Sequence, residues 1–393
     1  LAIIADSEIE RLRRERIEEL KRIRSEGQKV VGYICQYVPV EIIQAAGAIG
    51  VRLARADYLS SLLGEQFLRA DACPFCKSCL GKFETDPLYQ LTDALVFVNT
   101  CDMMRRLPEA VGAQKNLPVF QVYLPRNSEP CLNRIEEFER QLALLRDGLT
   151  NLTGRNWDDH RLLTAIKDYN LIRALLTRID SARQTLPPLV KGSEILDIVA
   201  LSWLLSPKQA IDLLTEVSQR LNALNLRRKT EDINPELGPP SFRPRVMIAG
   251  SILTEDDREV IQMLEAQADI VADELCTGVR FFAGQIELDE GPLRAIARFY
   301  FNRIPCAYRR PNDLLYEHLQ QLIQERRVQG VIYKTLLYCD PWRFEAKHLR
   351  QMLKIPVLEI DGDYSGANIE QLRTRIEAFI ETLGQHQEAD GEF

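Results

Sequence analysis

The sequence predicts an α/β protein of two doubly wound, Rossmann-like domains facing a shared cleft, with a helical insertion between them and a helix in front. Three observations predict it. Short apolar runs alternate with helical or loop segments in both halves of the 393-residue chain, the mark of open, largely parallel sheets. A central stretch carries helical periodicity and no strand candidate. The order of runs and cysteines in the first half returns in the second.

Residues 1–28 form the leading helix. Between 6 and 26, Ile9, Leu12, Leu20 and Ile23 stand among many Arg and Glu, a narrow apolar stripe suited to docking on a domain surface. The first α/β domain spans 29–157. Its opening run Lys29–Cys35 reads as a strand, and Pro39 and Gly47 mark the start and end of the helix after it. Ala94–Val98 and Val119–Tyr123 continue the sheet.

From 158 to 224 the spacing of Leu162, Ile166, Tyr169 and Leu175, then of Ile195, Ile198 and Leu201, predicts a helical insertion. Residues 225–244, with Pro235, Pro239, Pro240 and Pro244, read as a linker. The second α/β domain is 245–393. Arg245–Gly250 parallels the first strand, and Cys306, the run Gly330–Asp340 and the run Ile355–Asp361 parallel Cys73, Ala94–Asp102 and Leu117–Val122. The intervals from Cys73 to Cys101 and from Cys306 to Cys339 are 28 and 33 residues.

Composition narrows the function classes. Fifty Lys and Arg against 57 Asp and Glu give a net charge of −7, without the basic excess on which sequence-independent nucleic-acid binding rests. No stretch approaches the apolar length of a membrane helix, and Leu1–Glu10 lacks the basic flank and apolar run of a signal peptide. The expectation is a cytoplasmic protein with no nucleic-acid or membrane partner. Nine cysteines are too few for a disulfide scaffold in a chain this long, so metal or redox chemistry is the sharper reading.

The cysteines fall at particular places. Cys101 and Cys339 each end an apolar run and precede Asp; Cys73 and Cys306 lie upstream near helix starts; Cys276 follows another apolar run. Strand ends and helix starts at a cleft rim are where thiolates meet ligands. A single cysteine there is as well explained as a small buried hydrophobe, but matched positions in two repeats are not. Cys73, Cys76 and Cys79 form two Cys-x-x-Cys steps, a spacing shared by zinc sites, iron–sulfur sites and redox dithiols. No second close pair completes a zinc ribbon, and His160, His318, His348 and His386 make no metal pair at helical spacing. No phosphate-binding loop or dinucleotide fingerprint is present. ATP energy would therefore enter through a partner. Tyr37, Glu41, Asp102, Arg105, Arg106, Glu274, Lys334 and Asp340 are candidates for supplying protons or orienting a substrate. For each, a cap, a surface ion pair or a structural hydrogen bond is the competing role.

Five segments resemble the 2-hydroxyacyl-CoA dehydratase and benzoyl-CoA reductase superfamily: Gly32–Gly47, Asn99–Leu107, Asp273–Phe282, Tyr338–Glu345 and Thr374–Glu381. The resemblance implies paired α/β domains, an iron–sulfur cluster between them, and electrons from a separate ATP-hydrolysing iron–sulfur activator. The three cysteines that hold one [4Fe–4S] cubane in that family map to Cys73, Cys101 and Cys339. The surplus of cysteines resembles the homodimeric branch with a double-cubane [8Fe–9S] cluster. There the repeat assigns Cys73, Cys76 and Cys101 to one cubane and Cys276, Cys306 and Cys339 to the other. Cys35 is in reserve, with weaker places for Cys79 and Cys131. The catalytic candidates retained are Glu41, Lys334 and Tyr37. The leading expectation is an ATP-dependent iron–sulfur reductase of a small molecule. The alternatives are a dehydratase subunit with one [4Fe–4S] cluster, acting on a 2-hydroxyacyl-CoA, and a non-catalytic electron-transfer or zinc-stabilised protein.

Overall fold

The structure is a computed structural model and describes residues 2–231 and 243–390. Two four-stranded sheets, parallel throughout, form its two halves. The first contains β1 (Val30–Tyr33), β2 (Ile49–Arg52), β3 (Ala94–Val98) and β4 (Val119–Val122); the second contains β5 (Arg245–Gly250), β6 (Asp269–Glu274), β7 (Gly330–Leu336) and β8 (Val357–Gly362). Their orders are β2-β1-β3-β4 and β6-β5-β7-β8, the same topology used twice. All five residues of β3 and all seven of β7 are buried. Helices cover both faces, so the runs are continuous rather than alternating.

In each sheet the chain adds its second strand on one side of the first and its third on the other. The crevice lies where this order reverses, beyond the carboxyl ends of β1 and β3 and of β5 and β7. Cys35 and Cys101 follow the first pair and Cys339 follows β7.

The helices Leu132–Thr153, Asp159–Ser181, Gly192–Leu204 and Pro207–Glu231 form the helical part. The last runs on through the first residues of the span expected as a linker, because Val217 and Leu221 keep one face packed in the core; residues 232–242 lie outside the described residues. The leading helix, Asp6–Ser25, buries Ile9 and Leu20, and its Arg16 Nε donates to the Leu204 carbonyl at 3.0 Å.

The second half also reaches back. The helices Val279–Phe282 and Pro292–Asn302 share one core cluster with β1, β3 and the helical part. The segment after them is stitched to the first half. Arg303 donates to the Gln36 carbonyl, Arg309 to that of Pro125, and Asn127 and Arg310 form an isolated parallel bridge. This seam closes one side of the space between the sheets.

Candidate functional site

Helix starts deliver three cysteines. Cys73 is the N-cap of the helix Pro74–Thr85, with Pro74 fixing the first turn. Cys101 caps the helix Asp102–Lys115, its Sγ accepting the Met104 N–H at 3.4 Å in the place usually taken by a serine or aspartate oxygen. Cys339 caps the helix Asp340–Met352 and follows Tyr338, whose φ of 59° is unusual for a bulky residue. At a helix N-terminus the unsatisfied N–H groups and the macrodipole favour negative charge, so at all three thiols the helix end works against the burial that disfavours a thiolate.

A close helix crossing holds the first cysteine helix in place. The helices Tyr58–Gly64 and Pro74–Thr85 meet through glycines: a Cβ on Gly81 would lie 1.9 Å from the Ser60 carbonyl oxygen, and one on Gly64 1.9 Å from that of Lys77. Lys77 locks the same corner, its Nζ donating to Glu65 Oε1 at 2.7 Å and to the Ala70 carbonyl at 3.0 Å.

Cys76 and Cys79 lie within the helix that Cys73 caps, and two further sulfurs come from loops. Cys276 sits two residues beyond β6, and Cys306 lies on the seam with its N–H donating to the Tyr37 hydroxyl at 3.0 Å. Tyr37 in turn donates to the Ile304 carbonyl at 3.1 Å. The thiols sense one another. Burial raises Cys101 to about 12, with Cys73 and Cys306 adding to the rise. Burial likewise holds Cys339 well above the ordinary thiol, with Cys73, Cys101 and Cys306 contributing. Cys35 is raised by burial to about 12, with Cys306 and Cys276 adding to it. A hydrogen bond between Cys76 and Cys73 lowers Cys73 and raises Cys76. Eight thiols from both halves, all but Cys131, thus share one electrostatic neighbourhood.

Among the described residues no three His, Cys, Asp or Glu converge as a site for a single metal ion. Soft thiols packed together from both halves, with Cys76, Cys101, Cys306 and Cys339 costly to ionise alone, are a donor set whose charge a polynuclear iron–sulfur group offsets. On that chemistry the residues fit the implied cluster.

Three cysteines lie outside the six expected as ligands. Cys79 is buried against Tyr89, Sγ to hydroxyl 3.9 Å. Cys131 is exposed, at the start of the helix Leu132–Thr153. Cys35 is partly buried directly beyond β1.

The remaining candidates occupy varied positions. Glu41 is fully buried, paired with Arg173 and accepting from the Tyr300 hydroxyl at 2.9 Å. Lys334 is buried with Nζ 2.5 Å from Asp257 Oδ1 and donating to the Ile252 carbonyl at 3.2 Å. Asp102, Arg105 and Arg106 are exposed, the arginines within 3.7 Å and 3.5 Å of Asp102 and Glu109. Asp340 is exposed on the first turn of its helix. Glu274 is fully buried, 3.0 Å from Arg280 Nε; burial lifts its carboxyl to about 7 against the pull of Arg280.

Arg280 is the cation that the sequence reading missed. It is buried, lies over Trp342 with its guanidinium carbon 4.5 Å from the ring centre, and donates to the Gly250 carbonyl at 2.9 Å. Its field reaches Cys276 and Cys306. One sequence signal pointed to it, a lone charge inside the apolar run Val279–Phe282.

Comparison with known proteins matches residues 35–383 to a family described as 2-hydroxyglutaryl-CoA dehydratase, D-component. YjiM, a candidate dehydratase subunit of Escherichia coli (strain K12), is 29% identical over 369 residues, covering 92% of this chain and 93% of its own length. The (R)-phenyllactyl-CoA dehydratase beta subunit of Clostridium sporogenes is 20% identical, covering 93% of this chain and 94% of itself. A benzoyl-CoA reductase subunit of Thauera aromatica is 22% identical, covering 91% of each.

Proposed function

The chain belongs to the 2-hydroxyglutaryl-CoA dehydratase D-component family, and from that premise we propose that it is an iron–sulfur reductase acting on a small molecule. Cys73, Cys76 and Cys101 on one side and Cys276, Cys306 and Cys339 on the other hold a double-cubane [8Fe–9S] cluster. Bound there, the cluster supplies low-potential electrons. They arrive from a separate ATP-hydrolysing iron–sulfur activator, because the chain has no phosphate-binding loop of its own. The working assembly is a homodimer in the cytoplasm.

One observation carries this reading: Cys73, Cys76, Cys101, Cys276 and Cys339 pack in a single cluster, more sulfurs than the three that a single family cubane uses. The protein's own groups have definable tasks around them. Three helix N-termini offset part of the burial cost of thiolate charge at Cys73, Cys101 and Cys339. Arg280 supplies a fixed positive charge beside Cys276 and Cys306. Tyr37 holds the Cys306 loop through its hydroxyl. Ile34, Leu204, Ile252 and Leu336 pack in the same cluster as Cys73 and Cys76 and keep water away, which strengthens each of these charge interactions.

A second reading has its own support, since relatives are named as dehydratase subunits. In it Cys73, Cys101 and Cys339 hold one [4Fe–4S] cluster and the substrate is a 2-hydroxyacyl-CoA.

Iron and sulfide analysis of anaerobically purified protein separates the two. About eight irons per chain is expected for the double cubane and about four for the single one. Turnover is then measured with reductant, varying activator and ATP one at a time. Full activity with reductant alone overturns the ATP coupling, and strict dependence on an acyl-CoA moves the assignment to the dehydratase.

A further inference from the structure

A cavity of about 550 Å³ opens between the helix Asp6–Ser25, the helix Gly192–Leu204 and the strand ends of both sheets. Its apolar wall includes Leu88 and Leu204, which belong to the same packed cluster as Cys73, Cys76 and Cys79. Thr277, next in sequence to Cys276, also lines it. The cavity therefore lies beside the loop that carries Cys276.

Several cations line it, and all but one are engaged with acids. Arg13 lies 3.0 Å from Glu10, Arg258 2.8 Å from Asp197 and Arg55 3.0 Å from Asp86. Arg52, the last residue of β2, is different. It is 1% exposed, its Nε donates to the Ile34 carbonyl at 3.3 Å, and among the described residues its two terminal nitrogens have no hydrogen-bond partner. The guanidinium carbon lies 4.4 Å from the centre of the Trp203 ring and 5.5 Å from that of Phe281. Ring contacts offset only part of the cost of removing a guanidinium from water. An anion would complete the shell. A planar carboxylate matches the two free donors in a fork-to-fork pair.

We propose that Arg52 anchors a carboxylate-bearing small molecule whose apolar body lies along Trp203, Leu204 and Leu253. This names the substrate class of the reductase and so rests on that reading for its catalytic meaning, although the binding site itself does not. The cavity volume suits a molecule of modest size. A whole coenzyme-A thioester extends beyond it.

Isothermal titration of the anaerobically purified protein with butanoate, and with butanamide as neutral isostere, tests the site. Butanoate is expected to bind, with butanamide at least about tenfold weaker. Arg52→Gln is expected to cost about 10- to 100-fold in butanoate affinity, and Arg52→Lys less. Because a change at Arg52 also touches the core, Ala200→Trp fills the cavity from the opposite helix and should abolish binding with Arg52 intact. Equal affinity for the two probes, or butanoate binding undiminished in both Arg52→Gln and Ala200→Trp, overturns the proposal. Iron is measured on the same samples. Butanoate binding without iron sinks the cluster reading and leaves this site standing, whereas iron without butanoate binding does the reverse.

Discussion

Replacing Gly81 by Ala tests whether a helix crossing, rather than the cysteines alone, sets the proposed iron site. The new Cβ lies 1.9 Å from the Ser60 carbonyl oxygen, and ordinary carbon-to-oxygen contacts begin near about 3.3 Å. The helix Pro74–Thr85 must then move by about 1.4 Å relative to the helix Tyr58–Gly64, carrying Cys73, Cys76 and Cys79 with it. Metal–ligand distances tolerate only about 0.2 Å, so a shift of this size cannot leave all the donors in register with Cys101 and Cys339. Alanine gains up to about 1 kcal/mol of helix propensity over glycine, while overpacking costs about 1–3 kcal/mol. The variant should lose stability on balance. Gly112 is the control, a helix glycine with nothing within 4 Å of its would-be Cβ; Gly112→Ala should be neutral or stabilising. The assay is iron per chain after anaerobic reconstitution, with thermal unfolding of the metal-free protein beside it. Iron in Gly81→Ala is expected to fall below about half that of the parent, a consequence of the register argument. Full iron together with an unchanged unfolding midpoint would show that the crossing does not position the cysteines.

Cys101→Ser and Cys339→Ser should each strip most of the iron, whereas Cys131→Ser, on an exposed helix start, should leave it; equal loss from all three by iron analysis would undo the matched-position reasoning. His318 is a pH probe. Burial, then the charge of Arg280, depresses it to about 4 from 6.5, and its Nε2 is buried without a hydrogen-bond partner among the described residues. The unfolded chain therefore binds the extra proton between those values. Stability is complete above pH 6.5 and falls toward pH 4, by roughly 2–3 kcal/mol from this group. Urea unfolding at several pH values should show a shallower acid loss in His318→Gln, and an identical slope would remove His318 as the cause.

The two-sheet repeat was legible because fully buried parallel strands are continuous apolar runs, as at Ala94–Val98 and Gly330–Leu336. The strand Ile49–Arg52 escaped notice: it has four residues, Gly50 interrupts it, and it ends on an arginine. Arg52 is covered by Trp203 and Phe281, which come from elsewhere in the chain. The same holds for Arg280 and for Glu41, whose partners lie 132 and 259 residues away in Arg173 and Tyr300. Cysteine positions follow local rules of strand end and helix start, so spacing exposes them. Buried charges follow tertiary partners, and spacing does not. The linker boundary slipped for a related reason, since the polar residues after Leu224 are compatible with the outer face of a helix whose inner face is held by Val217 and Leu221.

The seam between Tyr37 and Cys306 bears on how the protein is made. Its hydrogen bond joins residues 269 positions apart, and the Arg303 bond to Gln36 spans 267. A chain emerging in order presents Cys73, Cys76 and Cys101 long before the segment that walls in their neighbourhood has been synthesised. Contacts of such separation form late, after the loop-closure entropy between them has been overcome. Until then these thiols face solvent on a partly formed domain, open to oxidation and to stray metal ions. On the proposed reading, loading with iron would be a finishing step, reached only when translation has passed Cys339 and the two sheets have closed on each other.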